Sequence, residues 1–274
     1  MSVAMFLFPL AGLSSLIAAY LLWTKPLTLP QLVTNPQPLI KVAVIISILL
    51  TIIATIATTP TGAQGIRFTI IASAGSATIL IQLIYLIGLL RHGIYGLGLV
   101  LLPATGLPLL FIPMIPTGHE GSWLEPNSIL GASHLVISMG AYAVITLSAL
   151  HALMYLIINR ALKAKRIHPI TQAMPALLDI ETHMFAQVRG TLWLLSLSIL
   201  TGLSWQWIEM SHFSLLSHKV MLSIIAWVLL LVLELGHQHR VWRQKVSSYM
   251  VLVAYTLMLL AYFGSRFIMT EIHG

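Results

Sequence analysis

The chain contains no cysteine. That excludes disulfides, thiolate metal sites, thiol redox chemistry and covalent cofactor attachment through Cys-x-x-Cys-His. Charge is nearly as scarce. Asp, Glu, Lys and Arg make up 8% of 274 residues, and only seven residues are acidic. A chain this poor in charge, with a mean hydropathy of +0.94, has too little polar surface to cover a soluble domain. It also lacks internal repeats and low-complexity tracts. No nucleophile–base arrangement is evident, so bond-making catalysis is not expected. Whatever binds here binds through His, Met, carboxylate or backbone.

What the chain does have is long apolar runs. Eight are legible, over about 3–23, 40–59, 68–90, 94–115, 129–158, 188–208, 220–236 and 248–268. At 1.5 Å per residue these suit a hydrocarbon core about 30 Å thick. The expected fold is all-α: a polytopic membrane helix bundle of about eight transmembrane helices. It forms one integral membrane domain, with four N-terminal spans in 1–128 and a four-span core in 129–274. The first run lacks a basic n-region and is not read as a cleavable signal peptide. The fourth carries Pro103, Pro108 and Pro113 and should be kinked. It should also pack inside the bundle, where neighbours can satisfy the backbone groups that proline frees.

Lys and Arg set the expected orientation. With the N-terminus outside, eleven of the fourteen fall on the inner side, and only Arg67, Lys219 and Arg266 fall outside. N-out and C-out follows. The net charge of +7 is then a topology signal with attraction to anionic lipid, not a sign of nucleic acid. Membrane lipid is the expected surrounding partner. The longest inner loop, about 159–187, contains Pro169 and Pro175. Its end, 176–186, reads as an amphipathic helix lying on the membrane.

Eleven histidines stand out against this apolar background. His134 opens the fifth span and His273 follows the eighth, both on the expected outer face. Two neutral imidazoles at one depth suit bis-His coordination of a haem iron. Trp205, Trp207, Trp123 and Phe213 gather toward the same face, as an aromatic belt or as a porphyrin platform. Lys219 and Arg266 at that level suit haem propionates. His151 lies 17 residues beyond His134, about 25 Å further along the helix. His237 and His239 sit at an inner span end with Glu234 one turn before His237; they read as a snorkelling interfacial cluster, or as an imidazole oriented by a carboxylate. His92, His151 and His237 are an open second cluster. His119, His212 and His218 read as loop residues; His168 and His183 are given no role.

Several motifs resemble the cytochrome c assembly family of haem-handling membrane proteins. Ser133-His134-Leu135-Val136-Ile137-Ser138-Met139-Gly140-Ala141-Tyr142-Ala143 is similar to that family's His-Val-x-x-Met-x-x-x-Ser-Tyr-Ala stretch. Gly202-Leu203-Ser204-Trp205 is similar to its Gly-x-x-Trp run. Lys219 and Trp227 keep an eight-residue spacing, and Leu235-Gly236-His237 stands where the family has a Leu-His pair. Tyr262-Phe263-Gly264 precedes His273 by the family's offset. These motifs cover roughly 129–273. Leu178, Glu181, Met184 and Phe185, with Gly236-His237 and His239, are most like the small YpjD/HemX-like branch. The family's Trp-x-Trp-Asp core is replaced by Phe213-Ser214-Leu215-Leu216-Ser217-His218-Lys219. The early-span partner that would match His237 is absent.

The resemblance implies non-covalent haem b carried or presented at the outer face of a bacterial inner membrane, in cytochrome c maturation. It implies His134 and His273 as axial ligands, and partner maturation proteins in the membrane. Two other readings stand beside it. One is an accessory or regulatory subunit without haem, working through loop 159–187. The other is a solute transporter using Glu234 and the histidines as a proton relay.

Overall fold

The computed structural model describes residues 3–24, 38–63, 65–92, 95–115, 122–125, 128–165, 174–208, 218–239 and 241–264. Among them are eight helices long and apolar enough to cross a membrane. They are α1 (Leu7–Thr24, preceded by a 3-10 turn at Val3–Phe6), α2 (Pro38–Thr58), α3 (Ile70–His92), α4 (Tyr95–Phe111), α5 (Ile129–Lys163), α6 (Leu177–Ile208), α7 (His218–Gln238) and α8 (Gln244–Leu259). A membrane offers the backbone no water, so an intrahelical hydrogen-bond ladder is the available solution. Between α2 and α3, two short strands, Thr61–Gly62 and Gly65–Phe68, pair antiparallel. Gly65 has φ 107°, a conformation glycine alone adopts freely. Large apolar side chains such as Ile56, Leu10, Trp193 and Leu200 stay outward on the helices, where lipid covers them.

The chain divides into two compact units. One comprises Met1–Trp123 with Ile157–Asp179, the other Leu124–Leu156 with Ile180–Gly274.

In the first unit α1 packs against α2 and α4. Gly12 and Gly106 make the α1–α4 approach possible. A Cβ on Gly12 would stand 2.6 Å from the Gly106 carbonyl oxygen. Small residues at crossings are the usual means of close packing in lipid. The helix α4 continues through Pro103 and Pro108. Pro103 has no N–H to give the Leu99 carbonyl four residues earlier. Trp23 Nε1 donates to that carbonyl instead, at 3.2 Å. Pro113 lies in a 3-10 turn, Ile112–Met114, that ends the helix. Ser15 Oγ donates to the Leu102 carbonyl at 3.0 Å, and the buried Gln82 amide reaches both Ser15 and Thr105.

The second unit has a core of Ala141, Ile145, Ala149 and Ala152 from α5, Met184, Phe185, Val188 and Leu195 from α6, Ala226, Leu230 and Leu233 from α7, and Val251, Ala254 and Met258 from α8. Apart from the adjacent Met184 and Phe185, each set repeats at three, four or seven residues, one stripe per helix. One boundary differs from expectation. The segment 176–186 is not a separate surface helix but the first turns of a 32-residue α6. Neither proline nor glycine interrupts residues 177–189, so nothing stops the helix. This continuity carries His183 and Arg189 into the second unit.

Candidate functional site around His134

The start of α5 is fixed by Ser128. Its hydroxyl accepts from the Gly131 N–H at 3.0 Å, an N-cap bond. His134 therefore enters in the second turn. Its Nδ1 lies 2.9 Å from the Ser198 carbonyl oxygen on α6. A carbonyl only accepts, so Nδ1 carries the proton and Nε2 keeps its lone pair. This is how metal-bound histidines are commonly oriented from behind.

Hydroxyls brace the junction. Ser138 Oγ donates to the His134 carbonyl and stands 2.7 Å from Ser198 Oγ. The 3.5 Å approaches of Ser138 and Thr201 to the ring nitrogens are too long to be strong bonds. Gly202 lies directly against the imidazole. A Cβ there would be 2.8 Å from His134 Cε1. Trp205 completes the wall, its ring centre 6.1 Å from that of His134 and tilted by 31°. Gly131 makes room for it, since a Cβ there would meet Trp205 Cε2 at 3.0 Å. Gly202 and Trp205, three residues apart on α6, thus face one imidazole. Trp207 instead points outward, 70% exposed.

The eighth helix runs back toward the end of the unit that holds His134. Tyr142, about 12 Å along α5 from His134, donates its hydroxyl to the Met258 carbonyl on α8 at 3.0 Å. Its ring meets Tyr262 edge-on, with centres 5.7 Å apart. Gln244, at the other end of α8, reaches the Met184 sulfur on α6, and Ser148 reaches the Met184 carbonyl. So α8 runs antiparallel to α5, and its π-helical end, Leu260–Gly264, heads toward the His134 end of the unit. His273 and Arg266 themselves lie outside the described residues. So do His119, His168, His212 and Phe213. Lys219 is exposed in the first turn of α7, and Trp227, eight residues on, donates to Ser196 Oγ on α6 at 2.8 Å.

At the opposite end of the unit the other histidines separate. His237 stacks on Phe185, centres 3.4 Å apart and 13° between planes. Glu234 does not bond to it: its Oε1 takes Arg189 at 3.3 Å and Gln238 at 3.1 Å. Gly236 is needed nearby, because Trp242 occupies the space a Cβ would fill. His151 is buried and faces His183, with ring centres 5.9 Å apart. The His92 side chain is outside the description, and His239 is exposed. Among the described residues no three His, Cys, Asp or Glu side chains gather as a metal site. Sequence reading gave Arg189 and His183 no site. A lone arginine between Val188 and Gly190, inside a helical stretch, was the available signal for the first.

The family model described as "Cytochrome C assembly protein" matches residues 13–273, well beyond the half that carries the motifs. The inner membrane protein YpjD of Escherichia coli (strain K12) is 30% identical over 200 residues, covering 73% of this chain and 68% of its own. An uncharacterized 28.8 kDa protein of Azospirillum brasilense is 28% identical over 59% of this chain, and that match spans only 57% of its length. Protein HemX of Brevibacillus brevis is 28% identical over 57% of this chain and 56% of its own. No solved structure matches.

Proposed function

The chain belongs to the cytochrome c assembly protein family, and on that premise we propose that it carries or presents haem at the outer face of the bacterial inner membrane, in cytochrome c maturation. The inner-membrane location follows the name of its YpjD relative. The orientation follows the distribution of Lys and Arg, N-out and C-out. His134 and His273 are the axial ligands. One observation carries the reading: the Ser198 carbonyl fixes the proton on His134 Nδ1 and leaves Nε2 to an iron. Supporting it, Trp205 offers an aromatic face beside the imidazole, and α8 heads toward the same end of the unit. Lys219 and Arg266 suit the propionates of a non-covalent haem b. His237, its ring face covered by Phe185, takes part in any further haem contact only through its edge.

A pyridine haemochrome assay on the detergent-purified full chain tests this. Haem is expected, with a low-spin bis-His spectrum that collapses in His134→Ala and in His273→Ala. A colourless, well-folded protein would instead support an accessory subunit. An unchanged spectrum in His134→Ala would end the assignment.

A further inference from the structure

We propose that His151, His183 and Gln187 form a binding site for a single transition-metal ion, at the end of the second unit opposite His134. His151 on α5 is 4% exposed, and His183 on α6 is exposed. Their ring centres are 5.9 Å apart and their planes 39° apart. Two imidazole nitrogens, each about 2 Å from one tetrahedral ion, place ring centres at about 5.2 Å. The observed spacing is within about 1 Å of that, a closure that the exposed His183 side chain can supply.

The protonation pattern points the same way. His151 Nδ1 lies 2.9 Å from the Leu147 carbonyl, which can only accept. Nε2 therefore keeps a lone pair, in a setting that would stabilise it as a ligand. Gln187 follows His183 by one helical turn, so both project from the same side of α6. The Gln187 carboxamide lies within hydrogen-bonding reach of the His151 ring, and its oxygen is buried with no other partner. Imidazole with a neutral oxygen suits Zn²⁺ or a similar ion of the late first row. The site shares no residue with the His134 site and does not depend on haem.

The test uses full-length protein in detergent, stripped with a chelator and titrated with Zn²⁺ against a chromophoric competitor. Wild type and His134→Ala should hold one more tight equivalent than His183→Ala or His151→Gln. Gln187→Leu should weaken that equivalent roughly tenfold. X-ray absorption on the zinc-loaded protein should show imidazole scattering that falls in His183→Gln. Because His183 is exposed, its replacement should leave the melting curve unchanged. Equal stoichiometry in wild type and His183→Ala would overturn the proposal. Loss of the equivalent only in His134→Ala would also overturn it.

Discussion

The two ends of the second unit treat polar side chains in opposite ways. Around His134 the described contacts are uncharged: a carbonyl, two serine hydroxyls, a glycine and an indole. At the other end a glutamate, 6% exposed, is paired with an arginine that is 52% exposed. The first arrangement orients one ring and leaves a nitrogen to spare. The second holds a charge in an apolar helix bundle and leaves Glu234 Oε2 without a partner. The contacts of His134 present an acceptor, and those of Glu234 contain a charge. Substitutions at each end should therefore fail differently.

The largest effect is expected at the charged end. Arg189→Met strands the Glu234 carboxylate among apolar helices. Removing one member of a buried pair costs about 3–5 kcal/mol. Arg189 is half exposed, so solvent screening brings the cost below that range, to about 2–3 kcal/mol. Thermal unfolding in detergent measures it. Adding Glu234→Leu should restore most of the loss, because the stranded charge is then gone. Haem content at the His134 end should not change in either variant. If it falls with Arg189→Met, the two ends are coupled and the contrast drawn above is wrong.

At the neutral end Gly202→Val gives the sharpest result. Its Cβ alone would press on His134 Cε1. Overpacking of this kind costs about 1–3 kcal/mol. An imidazole pushed aside by the added bulk would strain its bond to the Ser198 carbonyl. The expected outcome is a moderate fall in melting temperature with a disproportionate loss of haem, read in the low-spin absorption bands. Retention of the full spectrum would mean that the ring position seen here is not the ligating one.

The contrast was half legible in the sequence. The eight spans follow from run length, and His134 with Trp205 follows from position and motif. The charged end was hidden by one boundary. Pro169, Pro175 and a run of charges made 176–186 look like a surface segment, whereas the helix runs unbroken from Leu177 to Ile208. Only that continuity brings His183 to His151 and Arg189 to Glu234, partners 32 and 45 residues away in the chain. Periodicity reports which face of a helix is apolar; it does not report which distant helix that face meets. The same limit applies to Glu234: its place one turn from His237 allows either an interfacial cluster or a carboxylate orienting that ring, while the carboxylate bonds Arg189 and Gln238.

The smallest effect should come from Ser138→Ala, and its smallness is informative. The variant removes a hydroxyl that touches Ser198 Oγ and the His134 carbonyl. Interhelical hydrogen bonds of this type in membranes average about 0.6 kcal/mol. It leaves the Nδ1–H bond to the Ser198 carbonyl intact, because that acceptor is backbone and no side-chain change deletes it. So Ser138→Ala should lower stability slightly and leave the low-spin spectrum in place. Ser198→Ala should behave alike, for the same reason. A bleached spectrum in either would mean that the hydroxyl pair, not the carbonyl, holds the imidazole. Orientation by backbone would make the neutral end tolerant of side-chain loss and intolerant of added bulk, so Gly202 should outweigh both serines in haem retention.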